Sequence, residues 1–135
     1  SRLNIAKKAH EKASQAERVS QGQLKITLRD RINHARNQVE ETKHQLDEYK
    51  ESYPNKPLDR KNHLLNSKLE NFFNAYETAC IMYFKENLNK RDFREEYREE
   101  IRDLVEAETF RRFFEPTTSR YQSMIRVYKE WEEKG

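Results

Sequence analysis

Glycine and proline are nearly missing. With two glycines, Gly22 and the terminal Gly135, and three prolines among 135 residues, the chain has little material for tight hairpin turns, which excludes an antiparallel sheet as the main architecture. One cysteine, Cys80, excludes an internal disulfide and fits a reducing compartment. It stands in a run of large apolar residues, so its thiol reads as a buried, inert group. No stretch approaches the roughly 18 apolar residues of a membrane span, and no signal-peptide pattern is present. Hydrophobic residues make up 34% and charged residues 38% of the chain, a balance suited to long helices that bury one stripe and solvate the rest. Seven tyrosines, seven phenylalanines and one tryptophan make the chain too aromatic for disorder. The fold class that remains is all-α, a helical hairpin or bundle of about four helices.

The strongest positive signal is a heptad seam. Leu28, Ile32, Ala35, Val39, Leu46 and Tyr49 recur in steps of three and four with only Thr42 as a polar interruption, a spacing that keeps one stripe of a long helix against a partner helix. The spacing predicts a first helix from about Asn4 to Ser52, roughly 70 Å long at 1.5 Å per residue. The phase of its stripe slips between Gln23 and Leu28, where Leu24, Ile26 and Leu28 compete for the seam. Three shorter helices cannot cover such an element, so part of it is expected to pair with another copy or stand in solvent. Leu28, Ile32, Ala35, Val39 and Leu46 are the candidate self-association seam.

Pro54 and Pro57 stop the first helix, and five residues suit a helical hairpin. A second helix is expected from about Leu58 to Glu86, with a broad face of Leu65, Leu69, Phe72, Tyr76, Ala79 and Tyr83. Asn89 reads as the cap of a third helix that turns Phe93, Tyr97, Ile101, Leu104 and Val105 inward. Thr109 to Pro116 reads as a short helical turn carrying Phe110, Phe113 and Phe114. Ser119 and Gln122 form a capping box for a last helix through Tyr121, Met124, Ile125, Tyr128 and Trp131. Two segments result: residues 1–52, a basic helical arm running into the heptad helix, and residues 58–135, a compact bundle packing on its C-terminal half.

Charge is unevenly spread. Arg2, Lys7, Lys8, Lys12 and Arg18 against Glu11 and Glu17 supply the whole formal excess of three, leaving the remainder neutral. A basic, helical, weakly hydrophobic opening resembles the cytoplasmic side of a transmembrane helix, so these five cations are the candidate membrane-proximal residues, facing an anionic surface. The chain opens at Ser1, not Met, which sets the expectation of a tethering segment before it, in the inner membrane.

From Leu64 to Trp131 the order LLNSKLENFFNAYETACIMY, NLNKRDF, YREEIRDLV and FRRFFEPTTSRYQSMIRVYKEW is similar to an uncharacterised bacterial and phage helical family, domain of unknown function 4760. The likeness lies in the leucine and aromatic run Leu65 to Tyr76, a polar turn, an aromatic anchor such as Tyr97, and a terminal pair like Tyr128 and Trp131. The resemblance implies a membrane-spanning helix ahead of a basic helical stretch, and implies no catalytic residues.

Chemistry-bearing patterns are sparse. Glu41 and His44 have the Glu-x-x-His spacing of di-iron bundles, which need two such motifs plus further glutamates on facing helices. Asp30 with His34 is a single helical pair, short of any metal-ligand set. Neither glycine lies in a phosphate loop. No catalytic, cofactor or metal residues are assigned. Arg94, Arg98 and Arg102 run along the third helix as a candidate basic face, but acidic residues interleave at almost every turn, unlike a helix that neutralises phosphates. The expected function is a non-enzymatic interaction domain, the soluble cytoplasmic part of a membrane-tethered protein that self-associates or recruits another helical protein. The alternative is a soluble adaptor that binds nucleic acid or a host protein through the basic face.

Overall fold

A computed structural model describes residues 1–133 of the chain; residues 134 and 135, the end of the expected second segment, lie outside them. Four α-helices follow one another: α1 (Arg2–Ser52), α2 (Asp59–Phe84), α3 (Lys90–Glu106) and α4 (Gln122–Glu133), with a 3-10 helix (Glu108–Phe113) between α3 and α4. The described residues contain no strand.

The α1 helix runs unbroken through the phase slip because an interior free of proline lets every backbone bond form. Tyr53 ends it, its amide still donating to the Tyr49 carbonyl at 2.8 Å before Pro54. The chain then reverses, and α2 packs along the C-terminal half of α1. Leu28, Ile32, Ala35, Val39, Thr42 and Leu46 are all buried, Ile32 completely. This corrects the expected role of the seam. The stripe proposed for self-association is covered by α2 of the same chain, because the Pro54 to Pro57 turn brings a broad apolar face back onto it. Leu28, Ile32, Ala35 and Val39 belong to the hydrophobic core.

That core is unusually aromatic. Phe73, fully buried on α2, is surrounded by Phe113 and Phe114 at 5.0 Å, Phe110 at 5.1 Å and Tyr121 at 5.5 Å between ring centroids, all edge-on, the geometry that aligns ring edges with ring faces. The 3-10 helix makes this possible, since residues three apart share one edge and Phe110 and Phe113 therefore both meet Phe73. Farther along α2, Tyr83 stacks on Phe93 at 5.2 Å and meets Trp131 at 5.6 Å, tying α2 to α3 and α4.

Helix starts show where local reading succeeds and where it falls short. The Asn89 side chain accepts the Asp92 amide at 3.0 Å, as its capping position predicts. At α4 the box is rearranged. Ser119 Oγ accepts from the Tyr121 amide at 2.9 Å and donates to the Phe113 carbonyl, while Gln122 donates to the Ser119 and Pro116 carbonyls. The amides of Ser123 and Met124 are instead received by Glu77 of α2, at 3.1 and 2.9 Å. A carboxylate from a neighbouring helix thus satisfies the free donors and the positive end of the α4 dipole.

Candidate interaction surface

The part of α1 that no other element covers is its N-terminal half. Almost every residue from Ser1 to Gln23 is exposed, and the first α1 side chain packed against the core is Leu24. Continued toward the N-terminus, the buried seam runs out through Gln21, Glu17, Ser14, His10 and Lys7, so there is no apolar stripe for the body to bind. Leu3, 84% exposed, ends that line; the other exposed bulky apolar residues of this arm sit elsewhere: Ile5 is 70% exposed, Val19 67% and Ile26 58%. At about 100° per residue, Ile26 points roughly 200° away from Leu28. The slip in the sequence is therefore a change of face, with the inward stripe serving α2 and the outward stripe unpaired.

The candidate membrane-proximal cations Arg2, Lys7, Lys8, Lys12 and Arg18 are all exposed on this arm. Among the described residues no helix is long and apolar enough to cross a membrane.

The arm emerges beside a polar clamp that joins α1 to α3. No Cα of either helix comes within 8 Å of the other, and long side chains bridge the gap. Arg29 donates to Glu100 through Nη1 at 2.9 Å and Nη2 at 2.8 Å, to Glu96 through Nε at 3.1 Å, and lies 4.2 Å over the Tyr97 ring. One turn-pair later Arg36 donates to Glu100 at 2.9 Å and to the Tyr76 hydroxyl at 2.8 Å, and Tyr76 donates to Glu100 at 2.7 Å. Burial alone would push the Glu100 carboxyl up; the bonds from Arg29, Tyr76 and Arg36 outweigh it and hold it below its ordinary range. The bond to Glu100 raises the Arg29 guanidinium, and burial with the Glu100 contact raises Tyr76. Burial pushes the Tyr97 phenol up to about 12. Reading the sequence alone missed this clamp; its only trace is arginines seven apart on α1, flanking the seam, and glutamates four apart on α3.

Between Arg18–Leu28 of α1 and the start of α3 lies an open cleft of about 390 Å³. Lys25 approaches Glu96 there at 3.8 Å, and the Tyr97 hydroxyl, also beside the cleft, is buried without a hydrogen-bond partner.

The candidate basic face is broken up by pairing. Arg98 reaches Glu132 of α4 at 3.2 Å and Arg102 lies 3.5 Å from Asp103, while Arg94 is half-buried beside them. His44 pairs with Glu48 at 2.9 Å, and among the described residues no three His, Cys, Asp or Glu side chains are grouped to hold a metal ion. Cys80 is fully buried, and burial raises its thiol well above the ordinary value. No protein-family model, curated protein or solved structure matches the chain.

Proposed function

We propose that this chain is a non-enzymatic helical interaction domain of a membrane-tethered protein, in which the body formed by α2, α3, α4 and the C-terminal half of α1 holds out the N-terminal half of α1 as its contact element. The observation that carries this reading is the arm itself. More than twenty consecutive helical residues stand outside the bundle with isoleucine and valine exposed, although an isolated helix of that length is marginal in water without a partner. Its five exposed cations suit a position near an anionic surface, and the family resemblance supports a tether on that side.

The test is photocrosslinking in source cells that express the native full-length protein, with a photoreactive phenylalanine analogue replacing Gln15 on the arm or Glu108 on the body. Adducts formed from position 15 and not from position 108 are expected. An arm that yields no adduct while remaining folded would sink the reading. Fractionation of the same cells should place the protein with the membranes; release without detergent would remove the tether and leave the interaction arm.

A further inference from the structure

We propose that two copies of this chain pair through their arms as an antiparallel coiled coil, in the register where facing residue numbers sum to about 35. The proposal rests on the reading of the arm as the contact element and names its occupant, a second copy.

The outward stripe is a second heptad seam. Ile5, Lys12, Val19 and Ile26 recur every seven residues, with Ala9, Ala16 and Gln23 interleaved at steps of four and three. All seven are exposed, in one uninterrupted helix. A period of 3.5 sustained over about three heptads is the signature of a helix wound on another helix. A helix lying flat on a bilayer needs a wide apolar face edged by cations, and here a narrow row of three large side chains has a lysine in its middle. The residues flanking the seam are alanine, serine, threonine, glutamine and glycine, with Lys8 the one charge among them. Two such faces can therefore approach closely with little like-charge repulsion.

Size and charge then select the direction. In a parallel pair Lys12 would face Lys12 and each alanine would face an alanine, placing two like charges in the seam and leaving gaps beside them. In the antiparallel register Ala9 meets Ile26, Ala16 meets Val19 and Lys12 meets Gln23, while Ile5, at the end of the seam, comes opposite the exposed Asp30. Each small residue is opposite a large one, the arrangement that lets layers interdigitate, and the two interrupting polar residues meet each other. Sliding by one heptad one way would set Lys12 against Ala16 and Gln23 against Ile5, which breaks both matches. Sliding the other way would pair Lys12 with Asp30 but set Val19 against Gln23 and Ala9 against Asn33, leaving Ala16 with Ile26 as the one small-to-large layer. The partner helix also has room. Beyond Ile26 the same outward face of α1 continues through Asp30 and Asn33, both exposed, so the second arm meets open helix where it reaches the body.

Sedimentation of the full chain should give a mass twice its 16.5 kDa, and Val19→Asp with Ile26→Asp should halve it without changing the fluorescence of Trp131, which is buried in the body. Direction is read with single cysteines, because Cys80 is buried and out of reach. Lys12→Cys and Gln23→Cys chains should form a disulfide-linked dimer when mixed and oxidised, and neither should do so alone. A monomer at every accessible concentration would overturn the pairing, as would a dimer unaffected by the two aspartates. Cross-linking of each variant with itself would overturn the antiparallel register. A monomer that instead cosediments with phosphatidylserine vesicles would assign the arm to a membrane, preserving its role as contact element while removing the second copy.

Discussion

Arg29 and Glu100 meet through two parallel hydrogen bonds of 2.9 and 2.8 Å, the fork geometry that makes arginine and carboxylate a directional pair. The pair sits where α1 and α3 backbones are too far apart to touch, so it fixes the angle at which the arm leaves the body. Because Arg29 is about a fifth exposed, Arg29→Ala is expected to cost about 1–3 kcal/mol, less than a fully buried pair. A double-mutant cycle with Glu100→Gln should return a favourable coupling energy; additive effects would show that the fork does not hold the helices. The carboxyl is held below its ordinary range in the folded chain. Its contribution is therefore present above the unfolded value of about 4.3 and is lost as pH falls through the lower folded value. Urea midpoints measured downward from neutral pH should fall more steeply for the native chain than for Glu100→Gln.

Ile32 and Val39 both lie on the inward seam of α1, buried in the core. Replacing both by aspartate puts two charges into a covered interface, and the whole domain should unfold, since an unpaired buried charge costs several kcal/mol. Circular dichroism should show the loss of cooperative melting. Val19→Asp, on the outward stripe, should leave the melting of the body unchanged. If the inward pair instead yielded a folded monomer, α2 would not be what covers that seam.

How far the chain can be read without its structure follows from where each signal is stored. The extent of α1, the proline turn, the Asn89 cap and the inward faces of α2 and α3 rest on local propensity and periodicity, which the sequence displays. Whether Leu28 to Leu46 faces another copy or the same chain is decided by where α2 returns, and periodicity is silent on that. Glu77 shows the same limit: it caps α4 from 46 residues away, and nothing near it in the sequence marks it as a cap. The outward stripe was partly visible in the slip at Leu24, Ile26 and Leu28, but its meaning depends on knowing which face is occupied.

Glu77→Ala tests that remote cap. Removing the carboxylate leaves the Ser123 and Met124 amides without their acceptor at a helix start, and loss of a cap costs about 0.5–2 kcal/mol. The effect should be concentrated in α4, so hydrogen exchange at Ser123 and Met124 should accelerate more than exchange in α1. A uniform change across the chain would mean that Glu77 acts on the core as a whole.

Tyr97→Phe should not destabilise the domain. Its hydroxyl is buried and makes no hydrogen bond, and removing a buried polar group that lacks a partner recovers its desolvation cost, about 1 kcal/mol, while the ring keeps its contacts with Phe93 and Arg29. An increase of that order in unfolding free energy is expected. A clear decrease would show that the hydroxyl has a partner in solution, and the cleft beside Lys25 and Glu96 is where it would be found.

Glu86 ends α2 in the left-handed region, with φ of 61°. Its amide donates to the Tyr83 carbonyl and that of Asn87 to the Met82 carbonyl, both at 3.1 Å, the paired bonds that close a helix through a residue of this handedness. Glycine is the usual occupant because a side chain there costs about 1–2 kcal/mol, and what Glu86 offers in return is an exposed contact with Lys90 at 3.8 Å, worth little in water. Glu86→Gly should therefore raise the unfolding free energy by about 0.5–1 kcal/mol, allowing for the greater freedom glycine has in the unfolded chain. The urea midpoint should rise with an unchanged slope, and the mass in solution should stay the same, since the turn lies at the far end of α2 from the hairpin and off the outward stripe of the arm. A lower midpoint would mean that the Lys90 contact, or the helical tendency of glutamate, outweighs the backbone cost at this turn.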